Sequence, residues 1–198
     1  DDILAVQKQW AHANYQLEED EQEKAFELLV TKVQGLIKTY PDKADSWVWS
    51  GIVKSSFGGA KGGLGALSLV KAAKKDLEKA IEIDGTVLQG SAYASLGVLY
   101  HKVPGWPIGF GSDEKALKLL KKALEINPEG KESNFFYGEY LYDDSEYRDS
   151  LKYLLVAQAA PAKENRPVAY EFRQKEIAAM IENVQKKLDK IAKRKGNR

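Results

Sequence analysis

Three segments of this chain repeat one pattern of small and apolar residues, and the repetition limits the folds open to it. AKKDLEKAIEIDG starts at Ala73, ALKLLKKALEINP at Ala116 and SLKYLLVAQAAPA at Ser150. Ala73 to Gly85, Ala116 to Pro128 and Ser150 to Ala162 are each twelve residues apart, with Pro161 one residue before the last. Each segment has the apolar spacing of a helix and ends at Gly or Pro; proline lacks a backbone N–H and clashes with a continuing turn. A second helical pattern precedes each one and carries a small residue, Gly51, Gly97 or Gly138. Small residues at these positions let the two helices of a pair approach closely. Units of this kind bury their apolar faces only by stacking on their neighbours, which predicts an all-α array.

The distance within a pair varies in an informative way. Gly138 to Ser150 is twelve residues, Gly97 to Ala116 nineteen and Gly51 to Ala73 twenty-two. The second and third pairs therefore hold inserts of ten and seven residues, within FGGAKGGLGALSLV and VPGWPIGFG. Both fall in the turn inside a repeat, so they are expected to meet along one edge of the array, the first as a flexible turn with a helix starting near Leu64. Upstream, Ile3, Val6, Trp10, Ala13 and Leu17 predict a first helix, and the acidic cluster from Glu18 to Glu23 a solvated turn. Leu29, Val33 and Leu36 mark the next helix, from about Glu21 to the stop at Tyr40-Pro41. After Pro167 a long helix is expected over about 168–194. Its stripe of Tyr170, Ile177, Ile181, Val184, Leu188 and Ile191 suits capping of the last repeat, or packing on a second copy as a homo-oligomer.

These features resemble the tetratricopeptide repeat (TPR) family over about residues 10–162, most closely in Leu96, Gly97, Tyr100, Ala116, Leu120, Ala123 and Pro128. The resemblance implies a single domain over 1–198, with repeats at about 10–43, 44–89, 90–130 and 131–164. It also implies a TPR-like right-handed superhelix of about four helix-turn-helix units with a long C-terminal capping helix, whose concave face binds peptides or, less often, small molecules. At finer grain, GGAKGGLGALSLVK, VPGWPIGFG and NPEG with NFFYGEYL are similar to exported bacterial proteins related to the T component of tripartite ATP-independent periplasmic (TRAP) transporters. That likeness implies a periplasmic accessory protein associating with a substrate-binding partner. The start of the chain, without Met or a signal region, reads as a mature or trimmed chain.

Helical register assigns residues to the expected concave face. Asp45, Val48, Ile52 and Ser55 face it from the second unit; Ser91, Ala94, Val98 and His101 from the third; Glu132, Phe135, Glu139 and Tyr142 from the fourth. Of these, Val48, Ile52, Ser55, His101, Phe135, Glu139 and Tyr142, with Lys102 as a further polar handle and Trp106 and Phe110 from the second insert, are the candidate ligand- or partner-binding residues. Val103, Trp106, Ile108 and Phe110 are expected to be buried, because exposed apolar surface costs about 25 cal/mol per Å2. Pro104 and Pro107 admit a cis bond.

Chemistry is excluded more firmly than it is assigned. Thirty basic against 29 acidic residues leave a net charge of +1, so no global field selects nucleic acid or an anionic membrane. No cysteine is present, which removes disulfides, thiolate nucleophiles and Cys-based zinc sites. GGAKGGLG lacks the GK[ST] ending of a phosphate loop and follows a helix. His12 and His101 have no HExxH context, no Ser sits in a GxSxG elbow, and the carboxylates alternate with Tyr and Leu as on solvated faces. The basic tail of Lys186, Lys187, Lys190, Lys193, Arg194, Lys195 and Arg198 complements the end of a helix dipole. The expectation is a non-enzymatic binding module without metal or cofactor, capturing a protein or peptide; a small-molecule carrier, or an enzyme enclosing its ligand between concave face and inserts, is the alternative.

Overall fold

The computed structural model describes residues 2–162 and 164–196. Asp1, Arg198 and the Lys195 side chain lie outside the described residues. Nine α-helices form the regular structure among them: α1 (Asp2–Gln16), α2 (Glu19–Thr39), α3 (Ala44–Lys61), α4 (Gly63–Asp84), α5 (Val87–Lys102), α6 (Asp113–Ile126), α7 (Lys131–Asp143), α8 (Tyr147–Ala159) and α9 (Pro167–Gly196). The all-α expectation holds, and no helix among the described residues is long and apolar enough to cross a membrane.

The helices pack as consecutive pairs, α1 with α2, α3 with α4, α5 with α6 and α7 with α8. In three pairs one close approach sets the separation. A Cβ added to Gly51 would lie 2.5 Å from Leu77 Cγ, at Gly97 2.8 Å from Leu120 Cγ, and at Gly138 2.9 Å from Leu154 Cγ. No real Cβ sits so close, so glycine is what lets each leucine seat against the opposite backbone. The residues four before and three after each leucine, Ala73 and Ala80, Ala116 and Ala123, Ser150 and Ala157, are all buried. The twelve-residue register of the sequence is thus the register of this contact. In the first pair Leu29, Val33 and Leu36 keep the same spacing and are buried.

Between pairs, the odd-numbered helices form a continuous layer: α1 touches α3, α3 touches α5, α5 touches α7 and α7 touches α9. No two even-numbered helices touch among the described residues. A layer in contact backed by a layer that is spread bends a solenoid-like array toward the odd-numbered side. The bend brings α9 back to α1. Along its middle, α9 buries Ile177, Ile181 and Val184 against Phe135, Leu154 and Ala157, capping the last pair as its stripe predicts.

The inserts differ from expectation. In the first a helix does start beside Leu64, α4 at Gly63, but the turn before it is short: α3 runs on to Lys61 and the chain reverses only through Gly62 and Gly63 at φ 65° and 61°. The added helical turns find partners, Phe57 stacking on Phe26 with centroids 5.7 Å apart and Val70 meeting Gly58, which is why they stay helical. The second insert is a loop closed on its own backbone by a bridge between Gly105 and Gly111, with Gly111 N–H donating to Pro104 O at 2.9 Å. Val103 is buried, and Phe110 packs edge-on to Tyr100 at 5.4 Å. Trp106 and Ile108 are not buried, with 90% and 68% of their surface exposed. The narrow loop has one face toward the array, and Val103 and Phe110 fill it. The Trp106–Pro107 bond is cis. Lys74 on α4 lies 5.7 Å from the Phe110 ring centre, so α4 and the second insert touch.

Replacing Gly51, Gly97 or Gly138 with Val is expected to cost about 1 to 3 kcal/mol each through overpacking. Gly35, exposed in mid-helix with nothing within 4 Å of an added Cβ, provides the opposite case. Gly35→Ala is expected to stabilise by about 0.5 to 1 kcal/mol, and urea unfolding of the four variants measures both signs.

Candidate functional site

The return of α9 partly covers the face formed by the odd-numbered helices and leaves beneath it a cavity of about 270 Å3 that still opens to solvent. Every odd-numbered helix contributes to its wall. Trp10, Asn14 and Tyr15 come from α1, Trp49, Ile52, Ser55 and Ser56 from α3, and Ser91, Ala94, Ser95 and Val98 from α5. Glu132 and Phe136 come from α7, and Ala169, Arg173 and Glu176 from α9, with Arg166 immediately before it. A smaller lobe of about 90 Å3 shares Ser91, Ala94, Glu132, Arg166 and Ala169 and reaches Leu88, Gln89 and Tyr170. There the backbone turns left-handed through Leu88 (φ 49°), Gln89 (φ 58°) and Gly90 (φ 79°), so the regular part of α5 begins at Ser91. Two non-glycine residues in this conformation cost roughly 1 to 2 kcal/mol each, which surrounding packing offsets: Leu88 packs against two of the hydrophobic clusters.

Aromatic rings form one side of the cavity. Trp10 meets Trp49 edge-on at 5.7 Å and Tyr15 at 5.5 Å, and its indole N–H donates to Ser56 Oγ at 2.8 Å. Tyr15 stacks on Phe172 of α9 at 5.0 Å, joining the first helix to the last. Burial pushes the Tyr15 hydroxyl up to about 12, with the charges nearby contributing less.

Ionic groups complete the wall among these rings. Arg173 donates from Nη2 to Glu132 at 3.0 Å, from Nε to the other Glu132 oxygen at 3.2 Å and from Nη1 to Glu176 at 2.6 Å. Its guanidinium also lies 4.4 Å from the Phe135 ring centre and 5.0 Å from that of Phe136. Burial opposes its charge, but Glu132, with Tyr15 and Glu176, outweighs it and raises Arg173 above its ordinary value. Burial also raises Glu176, against the pull of Arg173. Arg166 differs. It stacks 5.1 Å over Trp49, makes no ion pair among the described residues, and its Nε is shut off from solvent without a hydrogen-bond partner. Burial lowers its affinity for the proton, against the opposing pull of the Glu132 charge.

Of the residues expected on the concave face, Ile52 and Ser55 line this cavity with Ser91, Ala94, Val98 and Glu132. Val48 is fully buried in the core between pairs, and Phe135 is buried beneath α9. His101, Lys102 and Glu139 gather in a separate ionic cluster farther along α5 and α7. There His101 Nδ1 lies 3.0 Å from Asp113 and Nε2 2.9 Å from Asp143, and Lys102 pairs with Asp143 at 2.9 Å and Glu139 at 3.3 Å. Burial works against ionisation of Asp143, but hydrogen bonds from Lys102 and His101 outweigh it and hold the carboxyl below its ordinary range. Tyr142 packs on Tyr147 at 5.5 Å, and Trp106 and Phe110 lie on the insert away from the cavity. Sequence reasoning missed Trp10, Trp49, Arg166 and Arg173. The last two belong to a 3-4-3 series, Arg166, Ala169, Arg173 and Glu176, beside the apolar stripe of the capping helix. That second stripe was a readable sign that the helix has two packed faces.

Among the described residues no group of three or more His, Asp or Glu side chains could hold a metal ion. No family model matches the chain, and no curated protein matches it. The function must therefore be argued from the cavity.

Arg173→Leu would leave Glu132 and Glu176 facing each other without their cation. A loss of about 2 to 4 kcal/mol is expected, measured by urea unfolding, with faster hydrogen exchange confined first to the opening turns of α9.

Proposed function

We propose that this chain is a non-enzymatic, tetratricopeptide-like binding protein that encloses a small molecule between its concave face and α9. The observation that carries this reading is the cavity, partly roofed by α9, to which all five odd-numbered helices contribute. A concave face built to take an extended peptide needs an open groove, whereas here the Tyr15–Phe172 stack and the Arg173–Glu132 pair hold α9 across it. The wall combines apolar and aromatic surface with a few convergent polar groups, the usual make-up of a small-molecule site. Both carboxylates in the wall are engaged by Arg173, which favours binding over acid–base chemistry. A right-handed superhelix is the form of array that best joins the paired helices to their single-sided contacts.

The likeness to T components of TRAP transporters gives this reading a setting: a periplasmic accessory that holds a solute for a substrate-binding partner. The exposed Trp106 and Ile108 at the tip of the second insert favour a protein partner on that edge, outside the cavity.

Native mass spectrometry of protein purified gently from its host tests the reading. The expected spectrum shows the chain with an added small mass, which Ser95→Trp, a bulky ring placed in the cavity wall, removes. A bare chain mass throughout would contradict the carrier role, and co-purification with a substrate-binding protein would support the accessory one.

A further inference from the structure

Besides Tyr15, the wall of the larger lobe carries four charged side chains that differ sharply in how far they are satisfied. Arg173 and its two carboxylates form a closed set in which the guanidinium bonds to both Glu132 and Glu176. Arg166 stands apart, half-buried, 5.1 Å over the Trp49 ring centre and without an ion pair among the described residues. Its Nε has no acceptor, and the neighbouring indole N–H of Trp49 is likewise buried without one. Both unpaired groups are donors. Leaving a buried donor unsatisfied costs about 1 to 3 kcal/mol, so a ligand bringing acceptor oxygens to this corner recovers what the protein alone leaves unmade.

Charge narrows the class further. The closed set has a net charge of minus one and Arg166 plus one, so the larger lobe is neutral; Lys131, in the wall of the smaller lobe, donates to Ala157 O at 2.9 Å and lies 4.6 Å from the Tyr170 ring centre. A cation would meet Arg166 while both carboxylates are already engaged. A dianion would satisfy Arg166 but force its second charge toward Glu132. One acidic group fits, if it lies against Arg166 with the rest of the molecule directed between Trp10, Trp49 and Phe136. Ser91 and Ser95, small residues on α5, leave the space for that body.

We propose that the ligand of this cavity is an organic monoanion, a single carboxylate on a flat apolar body, with Arg166 as its counter-ion. This rests on the small-molecule reading given above. A guanidinium meets a carboxylate through two parallel N–H···O bonds, stronger than the neutral bonds an amide would accept at the same place.

The test is calorimetric titration of the purified chain with indole-3-acetate and with its neutral isostere, indole-3-acetamide. The acid is expected to bind at least about tenfold more tightly than the amide. In Arg166→Gln the acid is expected to fall to the affinity of the amide, while the amide stays within about twofold of its original value, which shows that the cavity is intact. Ser95→Trp is expected to abolish binding of both. Equal affinity for acid and amide, a preference for the acid that survives Arg166→Gln, or failure of both probes to bind would overturn the ligand class. If the protein from its host still retains a small added mass, the carrier reading stands without it; if that mass is also absent, both fall.

Discussion

Each of the three best-matched helix pairs is drawn together at one glycine. Gly51, Gly97 and Gly138 let Leu77, Leu120 and Leu154 rest against backbone where any Cβ would intrude, and the alanines or serine above and below keep the helices close along their length. Because the contact recurs with the same register, each pair presents its first helix to the next pair in the same way. The continuous odd-numbered layer follows from this, and with it the face that the cavity uses. Packing at this density tolerates little change in volume, so the position of the site depends on residues that do not line it.

The second constraint acts at the ends. A stacked array leaves an apolar face at its last unit, and α9 covers it with Ile177, Ile181 and Val184. The same helix continues back toward α1, where Phe172 stacks on Tyr15 and Arg173 engages Glu132. One helix thus does two jobs with two stripes: an apolar one that caps, and a mixed one of Arg166, Ala169, Arg173 and Glu176 that roofs the concave face. The roof narrows what would be an open groove into a partly covered cavity. It also sets the electrostatics, since the only guanidinium in the wall with no carboxylate of its own stands where α9 begins.

How much of this the sequence discloses depends on the distance over which each contact acts. The helix pairs, their stops at Pro41, Pro128 and Pro161, and the capping stripe are local periodicities, and they appear in the fold within a few residues. Ile52, Ser55, Ser91, Ala94 and Val98 were legible as one face because helical register alone assigns them. The meeting of Tyr15 with Phe172 joins residues at opposite ends of the chain and leaves no local pattern. For the same reason Trp10 was legible only as part of the apolar stripe of the first helix, and Trp49 not at all, though both line the cavity. The first insert was misjudged from its glycines: only Gly62 and Gly63 make the turn, while the apolar residues around them extend α3 and α4. Trp106 was misjudged from its hydrophobicity, since the narrow loop already meets the array through Val103 and Phe110.

The central claim is that α9 lies across the concave face in solution. The chain has no cysteine, so spin labels can be placed without competing thiols. His12 on α1 and Lys175 on α9 are both exposed. Labelling the double variant His12→Cys, Lys175→Cys and measuring the separation by double electron–electron resonance reports the closure directly. A single short and narrow distance distribution is the result expected of α9 docked on α1. A broad distribution reaching the separations of an open array would contradict the partly roofed cavity and the small-molecule role built on it.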